Sequence, residues 1–213
     1  MMAVYTKPIV MIDFETTGLS PDMGDRITEV AALRIEDGRI TERYVSLINC
    51  GVRIPSFITG LTGITQQMVD GAPPVGEVVP ALLEFIGADA LAAHNASFDE
   101  KFLRAESARL GLAPAHQGTV CSLKLSRRVF PALGSYKLGQ LSGQLGIRFK
   151  SAAHRAESDA EVAAQVLLHI ARHLGDTYGL PEVAPELLLS VNKLAAAKVH
   201  AYLLKQGAAG APR

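Results

Sequence analysis

An apolar run near the start of the chain ends in two acidic residues, and this combination limits what the chain can fold into. Residues 9–12 are apolar and are followed by Asp13, Phe14 and Glu15, with a turn former at Gly18. A continuous apolar run predicts a buried strand, a setting in which Asp is disfavoured. Because side chains alternate along a strand, Asp13 and Glu15 share one face and Phe14 lies on the other.

Two carboxylates on one face of a buried strand require electrostatic compensation. Like charges at this separation repel each other, and their burial costs several kcal/mol unless a cation lies nearby. Taken alone, the pair fits three situations: solvated acids at a sheet edge, acids paired with Arg26 or Lys7, and ligands of a metal ion. The rest of the chain favours the metal ion.

Length and composition favour one domain with a terminal elaboration. The chain has 213 residues, 48% of them hydrophobic, and a formal net charge of zero. No apolar run reaches the ~20 residues that a membrane span requires, so we expect a soluble, cytoplasmic protein without a signal peptide. Zero net charge indicates that any nucleic-acid contact is local. Cys50 and Cys121 form no C-x-x-C pattern, which argues against a thiolate zinc site.

Residue patterns predict a strand meander followed by alternating helices and strands. After the first strand, strands are predicted at 26–35, 40–48, 88–93 and 119–122, with an Asp-Gly hairpin at 37–38. Helices are predicted from residue 66, at 75–86, after 99, after 135, from 159 onward and at 185–205, whereas 55–63 is predicted to be irregular. This order indicates an α/β fold, with a core domain at 1–177 and a helical extension with a frayed tail at 178–213.

Acidic residues also end two later segments, each of which begins with a histidine. Asp99 ends His-Asn-Ala-Ser-Phe-Asp, and Asp159 ends His-Arg-Ala-Glu-Ser-Asp, which begins at His154. Each residue has a structural alternative: Asp99 as a helix N-cap, Asp159 as a first-turn acid and His154 as a surface loop residue. The spacing of five residues between His154 and Asp159 favours the functional interpretation.

The three acidic segments resemble the exonuclease motifs of the DnaQ-like superfamily, and more narrowly its DEDDh branch, named for four acids and a histidine. Asp-Phe-Glu-Thr-Thr-Gly at 13–18 resembles the first motif, and the segments at 94–99 and 154–159 resemble the second and third, in the family's order. The resemblance implies a ribonuclease H-like α/β fold. Its five-stranded mixed sheet would have the order 3-2-1-4-5, with strand 2 antiparallel and helices on both faces.

The resemblance further implies a metal-dependent 3′–5′ exonuclease that releases nucleoside 5′-monophosphates from single-stranded or frayed 3′ ends, with DNA favoured. The implied metal ligands are Asp13, Glu15, Asp99 and Asp159, and their hard oxygens suit Mg²⁺ or Mn²⁺. Two such ions, ~3.5–4 Å apart, can stabilise both the attacking and the leaving oxygen at phosphorus. His154 is the implied general base, and Glu15 is also implied to orient the attacking water.

The resemblance also implies substrate-binding residues around these motifs, namely Phe14, Thr16, Thr17, Gly18, Leu61, Asn95 and Phe98. Glycine at position 18 permits a close backbone approach to the terminal nucleotide, and Leu61 occupies the position of a wedge against the terminal bases. A group of basic residues either lines a path for the substrate backbone or forms a solvated face: Lys124, Arg127, Arg128, Lys137 and Lys150.

Three alternatives stay open on the sequence alone. The same chemistry fits an RNA or oligoribonucleotide exonuclease, and it fits a polymerase-associated proofreading subunit, although residues 179–194 contain no good clamp-binding peptide. A catalytically inactive nucleic-acid-binding module is the third, and the intact acids and His154 argue against it. The expected partners are single-stranded DNA or RNA 3′ ends. A polymerase, another replication or repair protein, and a homodimer stay open as well.

Overall fold

The computed structural model describes residues 7–149 and 154–210, in which one mixed sheet lies between two layers of helices. The strands are β1 (Ile9–Thr16), β2 (Ile27–Glu36), β3 (Arg39–Leu47), β4 (Ala90–Ala93) and β5 (Thr119–Cys121). Their order is β3-β2-β1-β4-β5. β2 is antiparallel to β1 and β3, whereas β4 is parallel to β1 and β5. The predicted strand order and the antiparallel second strand are confirmed.

Helices cover both faces of this sheet. Within the described residues they are α1 (Ser56–Thr62), α2 (Gln66–Asp70), α3 (Val75–Ile86), α4 (Ser97–Arg109), α5 (Ser122–Val129), α6 (Leu138–Gln144), α7 (Ala156–Tyr178), α8 (Pro185–Lys193) and α9 (Ala196–Gly210). None of these helices is both long and apolar enough to cross a membrane. The predicted cap of α2 is present, because the Thr65 side chain accepts a hydrogen bond from Met68 N–H at 3.3 Å.

Three helix predictions differ from the structure. Residues 55–63 contain α1, which is too short for its two buried positions, Ile58 and Thr62, to form a recognisable period. α6 begins at Leu138, so Ser135 does not cap it. The single helix predicted at 185–205 is interrupted where Leu194 adopts an extended backbone conformation, and α9 then continues to Gly210 instead of fraying from residue 207.

Alternate residues of β1 pack in different hydrophobic cores. Ile9 and Met11 pack in the core that contains the buried face of α7, whereas Val10, Ile12 and Phe14 pack in the core that contains α3 and α4. Residues two apart on a strand share a face. The acids that follow Met11 at positions 13 and 15 therefore lie on the α7 side of the sheet.

The C-terminal helices cover the sheet edge formed by β5. Asn192 of α8 pairs with both backbone groups of Cys121: the Cys121 N–H donates to Asn192 Oδ1 at 2.6 Å, and Asn192 Nδ2 donates to the Cys121 carbonyl at 3.2 Å. Edge strands otherwise present unpaired backbone groups. Apolar residues of this region, among them Leu188 and Leu203, belong to the same core as α7. The domain division after residue 177 stays a prediction.

Replacing Asn192 with Ala is expected to destabilise the protein by about 1–3 kcal/mol, because the backbone groups of buried Cys121 lose their partners. The measurement is urea unfolding, with Ser190→Ala as the control in the same helix. The Ser190 hydroxyl donates only to Glu186 O within α8. Equal free energies of unfolding for the two variants would show that the contact to β5 contributes nothing.

Candidate active site

Four acidic side chains from three elements meet at the carboxyl ends of β1 and β4. Asp13 and Glu15 come from β1, Asp99 from the first turn of α4 and Asp159 from the first turn of α7. In open α/β sheets, ligands bind outside the carboxyl ends of the parallel strands. The fold therefore brings the four predicted metal ligands to the place where such sheets bind ligands.

Asp99 connects α4 to β1. Its carboxylate is buried, and Oδ1 accepts a hydrogen bond from the Phe14 N–H at 3.2 Å. The N-cap residue of α4 is Ala96, which forms no side-chain cap. Asp99 is therefore not the N-cap that sequence reasoning kept as an alternative, and its carboxylate is directed to the strand that carries Asp13 and Glu15.

His154 lies beside the acids at the start of α7. Glu15, His154 and Asp159 each place one candidate ligand atom within 4.8 Å of the others. The His154 N–H donates to Asp159 Oδ2 at 3.0 Å. His154 is exposed and has a φ of 62°, a left-handed conformation that is uncommon outside glycine. Backbone strain of this kind persists only where the surrounding contacts maintain it.

Burial raises the pKa values of all four carboxyl groups, and repulsion among the acids adds to the effect. Desolvation, followed by the nearby charges of Asp159 and Glu29, raises the pKa of Glu15 to about 8. Desolvation also raises the pKa of Asp99 to about 8, although backbone N–H donors oppose it. The pKa of Asp13 is raised well above its usual range by desolvation and by Asp99. Buried carboxyl groups with raised pKa values require a bound proton or a nearby cation. Four carboxylates suit a hard divalent cation.

Two charged residues beside the site were missed by sequence reasoning. Glu29 on β2 is 2% exposed and stands directly opposite Glu15 in the strand register. Arg155, between His154 and α7, donates to Glu29 from Nε at 3.1 and 3.2 Å and from Nη2 at 2.5 Å. An acidic residue beside the apolar run at 30–33 was the available signal for Glu29. The sequence does not indicate its partner, because the two residues lie 126 positions apart.

The turn after β1 is held by its own side chains. Thr16 Oγ1 donates to Gly18 O at 2.6 Å, and Arg26 N–H donates to Thr17 Oγ1 at 3.0 Å. A Cβ atom at Gly18 would collide with the Asp25 carboxylate. The absence of a Cβ atom at position 18 therefore leaves room for this carboxylate, and the contact of Gly18 with a nucleotide stays a prediction.

The other predicted substrate-binding residues lie in different environments. The Phe14 ring is 5% exposed and packs in the α3–α4 core, so it is not available to a substrate. Phe98 is partly buried against Phe102, with ring centroids 5.1 Å apart. Asn95 is exposed immediately after β4, with a φ of 66°, and Leu61 on α1 is 52% exposed.

A cleft of about 520 Å³ includes Asn95, Arg127, Tyr136 and Lys137 in its lining. His94 supports the cleft, with Nδ1 at 2.9 Å from Ser122 Oγ and Nε2 at 3.0 Å from Tyr136 O. Neither Arg127 nor Lys137 forms an ion pair with a carboxylate of the described residues. From the predicted basic group, Arg128 instead donates to Leu194 O at 3.0 Å, and Lys150 lies outside the described residues.

Comparison with known proteins relates most of the chain to exonucleases. The RNase T family, described as exonuclease, matches residues 10–167. The 3′–5′ exonuclease DinG of Bacillus subtilis (strain 168) is 41% identical over 165 residues, which are 78% of this chain but 18% of DinG. DNA polymerase III subunit epsilon of Aquifex aeolicus (strain VF5) is 35% identical over 171 residues, covering 80% of this chain and 84% of the subunit.

A solved exonuclease structure also resembles this chain. Exonuclease X in complex with 5′ overhanging duplex DNA superimposes with a TM-score of 0.67 and 26% sequence identity, covering 86% of this chain and 99% of that chain. The chain thus spans nearly the whole of two relatives but less than a fifth of DinG.

Without divalent cations, the protein is expected to lose stability as the pH rises from about 4.5 to about 8. An acid whose pKa is higher in the native than in the unfolded state binds its proton more tightly when folded. Its stabilising effect is therefore complete below the unfolded pKa, and it is lost as the pH rises through the folded pKa. Thermal unfolding across this range measures the effect, and added Mg²⁺ is expected to reverse most of the loss at pH 8.

Two variants test this repulsion. Asp13→Asn removes one acid of the cluster, and Glu84→Gln removes an exposed acid on α3 as the control. At pH 8 without metal, Asp13→Asn is expected to raise the Tm, by about 2–4 °C for each kcal/mol of repulsion removed. Glu84→Gln is expected to leave the Tm unchanged. A lower Tm for Asp13→Asn would mean that Asp13 is compensated within the metal-free protein.

Proposed function

The chain belongs to the RNase T family of exonucleases, as a 3′–5′ exonuclease of the DnaQ-like, DEDDh type, and on this basis we propose a substrate, a metal requirement and roles for its residues. The substrate is the 3′ end of single-stranded or frayed DNA, and the products are nucleoside 5′-monophosphates. Catalysis uses two divalent cations, Mg²⁺ or Mn²⁺. The observation that carries the proposal is the cluster of four carboxyl groups with raised pKa values, two of which, Glu15 and Asp159, lie within 4.8 Å of His154.

Asp13, Glu15, Asp99 and Asp159 would hold the cations. Their chemistry fits this role, because ionised acids in this cluster are stable only next to positive charge. When bound, the cations supply Lewis acidity that stabilises charge on the attacking and leaving oxygens at phosphorus. The connection between Asp99 and the Phe14 backbone keeps the α4 carboxylate at a fixed distance from β1.

His154 acts as the general base. Its imidazole is exposed to solvent, so it can accept a proton from a water molecule, which Glu15 orients by a hydrogen bond. The water oxygen forms a bond to phosphorus, and the bond from phosphorus to the 3′ oxygen of the preceding nucleotide breaks. That oxygen takes up a proton from solvent, and His154 releases its own proton to solvent after each turnover.

The DNA strand would extend from the acids across the cleft at Asn95. Arg127 and Lys137 supply positive charge there without a competing carboxylate among the described residues. Backbone phosphates are bound by such cations regardless of sequence. The exposed side chains of Leu61 and Asn95, and the turn at 16–18, would contact the terminal nucleotides.

Replication or repair is the proposed context, since the relatives include a DNA polymerase III subunit. A polymerase or another replication or repair protein would then be the partner. The preference for DNA over RNA is part of the proposal, because the similar exonuclease X structure is a complex with 5′ overhanging duplex DNA. Comparing DNA and RNA oligonucleotides of one sequence, labelled at the 5′ or the 3′ end, tests this preference together with the direction of digestion.

Replacing His154 with Ala is expected to lower kcat by about 10²–10⁴-fold, because a general base contributes that much to proton transfer. The measurement is mononucleotide release from 3′-labelled single-stranded DNA with Mg²⁺, Mn²⁺ or EDTA. His200→Ala, which removes an exposed imidazole of α9, is the control. Full activity of His154→Ala would refute the assigned base, and release that continues in EDTA would refute the metal requirement.

Replacing Arg127 and Lys137 with Ala is expected to raise KM for single-stranded DNA while leaving kcat nearly unchanged. Each lost phosphate contact should reduce the slope of log affinity against log salt by about 0.7. Lys198→Ala, an exposed cation on α9, serves as the control. An unchanged salt slope in the double variant would place the strand elsewhere.

A further inference from the structure

Glu29 is a buried acid on the same face of the sheet as Asp13 and Glu15. In the antiparallel register of β1 and β2 it stands opposite Glu15, and directly opposite residues point to the same side. The register shifts immediately beyond this pair, between Glu15 and Thr16. Like charges directly opposite each other are destabilising. A carboxylate that is 2% exposed at this position therefore requires a fixed partner.

Arg155 and the first N–H of α7 are that partner. The guanidinium binds the Glu29 carboxylate through Nε and Nη2, and the Ala156 N–H donates to Glu29 Oε2 at 2.9 Å. Arg155 is the N-cap residue of α7, but its side chain forms no cap of its own. Glu29 therefore caps the helix from the neighbouring sheet, where a negative charge is also favoured by the helix dipole.

This contact lies between His154 and Asp159. The Arg155 carbonyl accepts the Asp159 N–H at 3.0 Å, and the Asp159 carboxylate accepts the His154 N–H at 3.0 Å. Both residues are thus connected through Arg155 to β2, which is hydrogen-bonded to the strand that carries Asp13 and Glu15. A displacement of Arg155 would move the base and one metal ligand away from the other acids.

We propose that the pair formed by Glu29 and Arg155 is a positioning device that holds His154 and Asp159 against Asp13 and Glu15. The proposal rests on the proposed function, which assigns His154 and Asp159 their roles. The planar guanidinium can bind one carboxylate through two N–H groups, whereas a lysine ammonium acts as a point charge. Position 155 therefore requires arginine for its geometry as well as for its charge.

A second ion-pair group in the same helix provides a control. Arg43 of β3 binds Glu157 at 3.2 Å and Glu161 at 2.5 Å, so it also connects the first turns of α7 to the sheet. It lies on the strand beyond β2 and connects to neither His154 nor Asp159 by a hydrogen bond among the described residues. Arg43→Lys thus makes the same chemical change as Arg155→Lys at an anchor that the proposal does not involve.

The experiment compares Arg155→Lys, Glu29→Gln and Arg43→Lys in the full chain. The first two are expected to lower kcat by about 10–100-fold, the usual effect of removing a partner that orients a ligand. Their KM for single-stranded DNA should change by less than about threefold, because no substrate contact is lost. Arg43→Lys should keep kcat within about twofold of the wild type. Thermal unfolding identifies the temperature at which all variants are folded.

Calorimetric titration with Mn²⁺ gives a readout that does not depend on turnover. Arg155→Lys and Glu29→Gln should weaken Mn²⁺ binding, since Asp159 is displaced, whereas Arg43→Lys should not. If the wild type binds Mn²⁺ but releases no mononucleotides, the proposed function fails, and this titration still tests the positioning role. Equal losses in Arg43→Lys and Arg155→Lys, or wild-type kcat and Mn²⁺ binding in folded Arg155→Lys, would overturn the proposal.

The double variant of Arg155→Lys with His154→Ala tests the same connection. If Arg155 acts partly through His154, the loss of kcat in the double variant is smaller than the product of the two single losses. A fully multiplicative loss would show that Arg155 does not act through His154, and would overturn that part of the proposal.

Discussion

Repulsion among buried carboxylates is the constraint on which the arrangement of this protein depends. Asp13, Glu15, Asp99 and Asp159 are collected from three elements into one partly buried place, where desolvation alone raises the pKa of each. Such a cluster does not stabilise the metal-free fold. The surrounding structure must therefore hold the acids together by other means, at the carboxyl ends of β1 and β4.

Each acid is positioned by contacts that leave its carboxylate at least partly free to bind a cation. Asp99 is attached to the β1 backbone, and Asp13 and Glu15 are placed by the alternation of β1 between two cores. Asp159 is placed by the start of α7, where Glu29 accepts the Ala156 N–H and binds the Arg155 guanidinium. One buried acid thus serves as an anchor for the helix that carries another, and its own charge is satisfied by arginine instead of a metal.

The segments around the site support it in ways that differ from their sequence interpretation. Gly18 leaves room for the Asp25 carboxylate, and the Phe14 ring belongs to the α3–α4 core. The basic residues after β5 divide between two tasks. Arg128 binds the backbone between α8 and α9, while Arg127 and Lys137 line the cleft that includes Asn95. These differences arise because a side chain's partner depends on elements that are distant in the chain.

The sequence by itself determined that Asp13 and Glu15 share one face, since strand periodicity depends on neighbouring residues. The strand order and the set of four acids came from the resemblance of three local motifs to a known family. The sequence did not reveal α1 or the break between α8 and α9, because short helices with few buried positions leave no period. Only the tertiary structure decided that Glu29 meets Arg155 across 126 positions, and that Asn192 pairs with the edge of β5. Such contacts form when packing brings together polar groups that need partners, and no local pattern records which groups will meet.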